Sequence, residues 1–158
     1  MEDARRLYEN HLEEAVKQWI PNESYGDLEE TRDAISFYMD RVNRGALPYV
    51  LAVEARESGE LIGDTGINAV EGCAGEVEIG YVIRPKDSGK GYATELVSAM
   101  TEFAVQTFGI RVLYGRVMHG NHASRRVLEK NGYAFVREEQ GAEDDPYGKG
   151  MLVYRKVF

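Results

Sequence analysis

The chain has few of the features that mark secreted, membrane-spanning or disulfide-stabilised proteins. It has a single cysteine, Cys73, which excludes an internal disulfide. No apolar run approaches the roughly 20 residues that a membrane helix needs. The first sixteen residues also lack the apolar segment of a signal peptide. We therefore predict a cytoplasmic protein without a membrane partner, folded as one domain over residues 1–158.

Positive charge is scarce as well. The chain has 19 Lys and Arg against 27 Asp and Glu, a net charge of −8. An excess of acid argues against nucleic-acid binding. The charge is uneven: residues 1–60 carry a net −7, whereas residues 84–130 carry a net +4. The basic stretch suits a small polyanionic ligand, and the acidic third suits a cationic co-substrate or simply aids solubility.

The spacing of apolar residues predicts ten elements in the order α-α-β-β-β-α-β-α-β-β. The strand–helix–strand unit over residues 76–117 is a crossover, so its two strands should be parallel and the others antiparallel. The sequence therefore predicts an α+β domain with a mixed, mostly antiparallel sheet flanked by helices. The predicted helices are Arg5–Trp19, 27–44, Ala93–Phe108 and Ala123–Asn131, and the predicted strands are Tyr49–Ala55, Leu61–Ala69, Glu76–Arg84, Arg111–Val117, Tyr133–Val136 and Met151–Val157.

A glycine-rich turn, KDSGKGYA, spans Lys86–Ala93 and joins the third predicted strand to the third helix. A helix N-terminus presents free N–H groups and the positive end of the helix dipole. Gly89 and Gly91 let an anion approach the main chain, which is typical of a pyrophosphate cradle but also of an ordinary tight turn. The P-loop and dinucleotide-binding motifs do not fit, because Arg84 and Thr94 stand where they require small residues.

A second motif, N-x-x-S-x-x-V-L-x-K-x-G-Y, covers Asn121–Tyr133. By itself it predicts a short helix that Asn121 caps and Gly132 ends. Together with EIGYVIRPKDSGKGYATEL, it resembles the GNAT N-acetyltransferase superfamily, and most closely the branch that includes ribosomal-protein alanine N-acetyltransferases. The resemblance extends from about residue 4 to the end of the chain.

This resemblance implies transfer of an acetyl group from acetyl-CoA to a primary amine, by direct attack in a ternary complex. No metal is expected, because His119 and His122 are two candidate ligands with no third beside them. The family strands that splay apart to admit pantetheine correspond to Glu76–Arg84 and Arg111–Val117, and Asn121 is expected beside pantetheine. The family's pyrophosphate-binding turn corresponds to residues 86–91. The expected contacts to the phosphates are Lys86, Ser88, Gly89, Lys90, Gly91, Tyr92 and Ala93.

The resemblance also implies candidates for stabilising the leaving thiolate and the oxyanion. Leu128 occupies the position where many relatives have the tyrosine that protonates the thiolate. The branch that the chain resembles has a serine in N-x-x-S, so Ser124 is the candidate acid and a cofactor contact. Its hydroxyl suits a helix-start hydrogen bond equally well. A backbone N–H near Val82 or Ile83 on the splayed strand is expected to meet the oxyanion.

A base must take the proton of the amine, directly or through water. Glu78 is the first candidate, because it lies on the splayed strand opposite the apolar face. Glu143, with Asp144 and Asp145 in the last long loop, is the second candidate. The alternative function is a catalytically silent CoA-binding module in regulation or assembly. The sequence leaves open whether the acceptor is a small molecule or a protein N-terminus.

The family begins with a strand before its first helix, and residues 1–4 match only the loop after that strand. We therefore expect the sheet to lack the first family strand, which makes Tyr49–Ala55 an edge strand. This edge has one charge and no internal proline, so it is a template for pairing. We expect a neighbouring protomer, the C-terminal segment or the tail before Asp3 to cover it, and a symmetric homodimer is the preferred version.

Overall fold

The computed structural model of the protein describes residues 2–21, 23–141 and 150–158. They form a sheet of six strands in the order β1-β2-β3-β4-β6-β5. All neighbours are antiparallel except β3 and β4, which confirms the predicted fold class and the parallel pair. The elements are α1 (Ala4–Leu12), α2 (Glu14–Lys17), α3 (Leu28–Asn43), β1 (Tyr49–Glu54), β2 (Leu61–Ala69), β3 (Glu76–Ile83), α4 (Tyr92–Phe108), β4 (Val112–Met118), α5 (His122–Lys130), β5 (Ala134–Glu139) and β6 (Met151–Val157).

The parallel pair is short. Residues 76–78 of β3 pair with residues 112–114 of β4, and the register ends there. On its other side, β3 stays paired with β2 as far as Ile83 opposite Gly63. Because β3 continues without β4 beyond Glu78, the sheet opens in its middle, between α4 and α5.

The core lies between the sheet, α4 and α5. Val97, Met100 and Ala104 on α4 are buried at the predicted helical spacing. On β4, a Cβ at Gly115 would lie 2.7 Å from the Leu128 side chain, so the glycine lets α5 pack closely on the strand. Leu128 is therefore a core residue, only 1% exposed.

The predicted helix Arg5–Trp19 is wrong as a single element. The helix α1 ends at Leu12, and the next residue, Glu13, has a ψ of 129°, which is in the extended region. In a continuous helix the carbonyl oxygen of His11 would accept from the N–H of Ala15. Here it accepts from the Ser24 hydroxyl at 3.1 Å. A contact with a loop thus competes with helix continuation, which the apolar spacing does not reveal.

β1 is an edge strand, as predicted. The expectation that the C-terminal segment covers this edge is wrong, because β6 lies between β4 and β5. Glu2 and Asp3 form a turn that leads into α1, and no strand precedes α1 in the described residues. None of the helices in these ranges is long and apolar enough to cross a membrane.

Candidate active site

A cavity of about 1240 Å³ opens where β3 and β4 diverge. One end is lined by the turn before α4 and by the start of α5, including Gly91 and Ser124. The other end is lined by α1, the loop after α2, and β2, including His11 and Asp64. Glu78 lines the cavity where the pairing of β3 with β4 ends. The cavity thus connects a glycine-rich end with an acidic end.

The glycine-rich turn has the backbone that an anion cradle requires. Gly89 and Gly91 have φ values of +78° and +85°, and Gly91 is the N-cap of α4. A Cβ at either glycine would meet no atom within 4 Å, so the space above both is open. Within the described residues, the N–H groups of 89–94 have no hydrogen-bond partner. The N–H of Ser88 differs from the prediction, since it donates to the Pro85 carbonyl at 3.1 Å.

Arg84 stabilises this turn through hydrogen bonds from its buried side chain. It is 5% exposed and donates to Asp87 and to Glu60, the latter at 2.6 Å. The guanidinium holds the pKa of Asp87 below its ordinary value. Sequence reasoning did not find this role, because a buried arginine is recognised by the groups it contacts in the fold and not by the spacing of residues along the chain.

The two lysines of the turn do not line the cavity. Lys86 Nζ lies 3.9 Å from Glu60 Oε2, and Lys90 Nζ donates to Asp87 at 3.1 Å. Both cations thus contact the acidic residues that stabilise the turn. Positive charge at this end of the cavity comes instead from Arg126 and Lys130 on α5, which line it.

At the start of α5, the capping role of Asn121 is confirmed: its Oδ1 accepts from the N–H of Ser124 at 3.2 Å. The Ser124 hydroxyl oxygen is 2.6 Å from the Tyr81 hydroxyl oxygen, which also lies 3.2 Å from the Ser124 carbonyl. Burial raises the pKa of Tyr81 to about 12, so Tyr81 keeps its proton at neutral pH. Sequence reasoning did not single out Tyr81, which lies on β3 at the same two-residue spacing as the apolar Val77 and Ile79.

The main chain of β3 decides which N–H groups face the gap. The Arg84 N–H donates to Ile62 on β2 at 2.8 Å, and antiparallel strands alternate the direction of these bonds. Val82, two residues earlier and opposite Asp64, therefore also faces β2. Of the two predicted oxyanion contacts, Ile83 faces the gap and Val82 does not.

Glu78 lies at the mouth of the gap, with a side chain that is 37% exposed. Its Oε2 is 3.6 Å from Nε of Arg116, whose Nη2 is 3.2 Å from Glu139. Burial raises the pKa of Glu78 above its ordinary value, and Arg116 offsets this only in part. Glu143, Asp144 and Asp145 lie outside the described residues. Within the described ranges, no three His, Cys, Asp or Glu side chains form a group that could hold a metal ion.

The acidic end of the cavity contains a histidine that the sequence did not single out. His11 is 3% exposed, and its Nε2 is 2.7 Å from Asp64 Oδ2. Its Nδ1 is 2.7 Å from the Glu23 carbonyl oxygen, and its ring lies 5.3 Å from that of Tyr25. The apolar spacing of α1 does not mark His11, and only the fold brings Asp64 to it.

Comparison with solved structures shows the same fold in known acetyltransferases. The ribosomal-protein-S5-alanine acetyltransferase from Vibrio fischeri matches with a TM-score of 0.86 and 14% identity, over 99% of this chain and 88% of that one. A spermidine N-acetyltransferase from Vibrio cholerae, solved with CoA and spermine, matches with a TM-score of 0.79 and 16% identity, over 99% of this chain and 90% of that one.

Sequence comparison identifies the family. An uncharacterized N-acetyltransferase, p20, from Bacillus licheniformis is 25% identical over 100% of this chain and 86% of that protein. The chain spans 46% to 63% of the lengths of three further curated relatives from Bacillus subtilis. The family model of the acetyltransferase (GNAT) domain matches residues 1–134. The predicted resemblance is confirmed, and the chain belongs to the GNAT acetyltransferase family.

Proposed function

We propose that the protein transfers the acetyl group of acetyl-CoA to a primary amine by direct attack in a ternary complex. The observation that carries this proposal is that the anion cradle before α4 and the carboxylate of Glu78 line one cavity at the gap between β3 and β4. In the reaction the amine nitrogen forms a bond to the acetyl carbon, the carbon–sulfur bond breaks, and CoA leaves as the thiol. From the neutral amine two protons move: one leaves the nitrogen and one reaches the sulfur. An acceptor that binds as its ammonium ion first releases one further proton.

The cradle fits a pyrophosphate. The free N–H groups from Gly89 to Ala93 and the positive end of the α4 dipole would hold the phosphate oxygens. The open space above Gly89 and Gly91 admits those oxygens to the main chain. Arg126 and Lys130 add positive charge, and Asn121 lines the path between the cradle and Glu78.

The chemical roles fall to groups at the gap. Glu78 takes the amine proton, directly or through water, and its raised pKa suits a base. The N–H of Ile83 is directed toward the gap, where it can meet the oxyanion. Ser124 donates a hydrogen bond to the departing sulfur, and the Tyr81 hydroxyl, 2.6 Å from the Ser124 hydroxyl, would turn its proton to Ser124 in that step.

The acceptor is an amine of cationic character. The far end of the cavity is lined by Glu23, Glu30 and Asp64 in addition to Glu78. Among structural neighbours, one is named a ribosomal-protein alanine acetyltransferase and another a spermidine N-acetyltransferase. Both names describe amine acceptors, which supports this class and leaves the choice between a peptide N-terminus and a polyamine to experiment.

A screen of amine acceptors tests the proposal. Acetyl-CoA is incubated with alanine-starting and serine-starting peptides, spermidine, spermine and aminoglycosides, and release of CoA thiol is measured. We expect release with at least one amine, and loss of that release in Glu78→Gln. Tight binding of CoA by calorimetry without thiol release from any amine would contradict catalysis and favour a CoA-binding module.

A further inference from the structure

The ring of His11 lies between two oxygen atoms that both accept hydrogen bonds. Its two nitrogen atoms are each 2.7 Å from an oxygen, one of the Glu23 carbonyl and one of the Asp64 carboxylate. Neither a carbonyl nor an ionised carboxylate has a proton to donate. Both contacts are therefore hydrogen bonds only if each ring nitrogen has its own proton, which makes the ring an imidazolium ion. The other arrangement, a neutral ring that accepts from a protonated Asp64, removes both charges.

The surroundings of the ring favour the charged form. The titratable groups in contact with the ring are Glu23 and Tyr25 from the loop after α2 and Asp64 from β2. From α3, Glu30 and Tyr38 line the same cavity. All are carboxyl or phenol groups. Burial, the largest single influence, would lower the pKa of His11, but the hydrogen bonds and charges of Asp64 and Glu23 together outweigh it and raise that pKa above its ordinary value.

The same end of α1 contacts the loop a second time. The Ser24 hydroxyl donates to the His11 carbonyl oxygen at 3.1 Å, and the neighbouring Glu23 carbonyl accepts from the ring. The loop is thus attached to α1 at two successive residues, and through the ring to Asp64 on β2. Glu23, Ser24 and Asp64 all line the acidic end of the cavity.

We propose that His11 is a positioning residue: as a buried imidazolium ion it fastens the loop after α2 to β2 and so fixes Glu23 and Asp64 around the acceptor amine. It also neutralises Asp64, so that Glu23, Glu30 and Glu78, which line the same cavity, are left to meet a cationic substrate. The kinetic part of this inference rests on the proposed function, whereas the protonation of the ring does not.

The pH dependence follows from the direction of the shift. The folded-state pKa of His11 is above its unfolded value of about 6.5. Its contribution to holding the loop is therefore complete below the unfolded pKa and is lost as pH rises through the folded pKa. Above that point one of the two hydrogen bonds lacks its proton, and the ring loses its bond to either Glu23 in the loop or Asp64 on β2.

Nitrogen NMR of the ligand-free protein tests the protonation. The signals of His11 are assigned by their absence in His11→Gln. At neutral pH we expect a directly bonded proton on both ring nitrogens, and a fall of the His11 pKa in Asp64→Asn, which keeps an acceptor oxygen but removes the charge. A ring with one unprotonated nitrogen, or an unchanged His11 pKa in Asp64→Asn, would overturn the inference even if His11→Gln folds poorly.

Amide exchange and kinetics test the positioning role. The matched control is His119→Gln, which removes an exposed histidine paired with Glu138 at 3.1 Å. In His11→Gln, but not in the control, we expect faster exchange at residues 23–26 and an unchanged calorimetric Kd for CoA. With spermidine or an alanine-starting peptide as the acceptor, we expect a rise in acceptor KM of about tenfold, the size of one lost hydrogen bond to a charged group.

Equal exchange rates in His11→Gln and His119→Gln would refute the positioning role. Absence of turnover in the parent would count against the proposed function, and exchange would then decide on His11.

Discussion

Glu78 owes its suitability as a base to its place at the mouth of the gap. Glu78→Gln should lower kcat with little change in the affinity for acetyl-CoA, because the side chain lies away from the cradle. The loss of kcat in Glu78→Gln should become smaller as pH rises toward the pKa of the amine, because the amine then depends less on a base to lose its proton. In the parent, kcat should fall as pH drops through the raised pKa of Glu78.

Steady-state kinetics over a pH series measure this effect. The matched control is Glu76→Gln, two residues earlier on the same face of β3, where the Glu76 carboxylate accepts from the Tyr114 hydroxyl at 3.0 Å. Glutamine keeps that acceptor oxygen, so Glu76→Gln should leave kcat unchanged. Equal kcat values for Glu78→Gln and the parent at neutral pH would transfer the role to the loop that contains Glu143.

The two hydroxyls of Ser124 and Tyr81 should act as one unit. Ser124→Ala should lower kcat by a factor at or below the 10²–10⁴-fold that is typical of a lost acid–base group. Tyr81→Phe should lower it less, and the double variant should be no worse than Ser124→Ala, because both remove the same donor chain. Tyr133→Phe, which removes a hydroxyl bonded to Thr101 in the core, is the control.

Kinetics of the two single variants and the double variant decide the matter. Additive losses would mean that the two hydroxyls act independently. A fully active Ser124→Ala would leave Ser124 with its contacts at the start of α5 and no catalytic role.

Residues with a local reason for their position could be predicted from the sequence. Gly89, Gly91 and Asn121 belong to this group, because a turn and a helix cap depend on near neighbours along the chain. His11, Arg84 and Asp64 could not be predicted, because each owes its role to a partner that only the fold supplies. Lys86 depends on the fold in the same way, since its Nζ lies 3.9 Å from Glu60 Oε2, which the sequence does not place near it.

The turn before α4 offers a direct test of the cradle. Gly91→Val should weaken CoA binding severely, because its side chain would occupy the open space above the helix N-terminus. A positive φ also strains valine, so the control must share that strain. Gly59→Val provides it, with a φ of +67° and no atom within 4 Å, in a turn between β1 and β2 that does not line the cavity.

Calorimetry with CoA on both variants, after their folding is checked by circular dichroism, separates strain from blocked binding. We expect Gly59→Val to bind CoA like the parent. Equal binding by Gly91→Val would place the phosphates elsewhere.

Helices and strands could be predicted where one periodic pattern fills the whole element. β2 and β6 match their predicted bounds at Leu61–Ala69 and Met151–Val157. β5 extends to Glu139, three residues past its predicted end at Val136, because the acidic, glycine-rich sequence from Glu138 onward indicates a loop. The three residues are Arg137, Glu138 and Glu139. In the structure they pair with β6 at the outer edge of the sheet, where charged side chains are exposed to water and guard against unwanted pairing.

At the scale of the whole molecule, no strand of the described residues pairs with the outer side of β1. We expect a symmetric dimer in which β1 of one protomer pairs with β1 of its partner. Ala52→Lys, at an exposed position of β1, should shift the protein toward monomer, and Ser58→Lys in the following turn adds the same charge as a control. Light scattering, together with amide exchange at residues 49–54, measures the outcome. A monomeric parent whose β1 amides exchange freely would contradict a paired edge.

The short register between β3 and β4 has a thermodynamic consequence. Three paired positions join two three-stranded halves of the sheet, so a coenzyme that fills the gap between them touches both halves at once. A ligand that binds only the folded state stabilises it by mass action, by about 2.7 kcal/mol at a hundredfold excess over its Kd. The melting temperature should therefore rise with the logarithm of CoA concentration in the parent and stay flat in Gly91→Val. The coenzyme would then hold the two halves of the sheet together where only three positions pair, in addition to being a reactant.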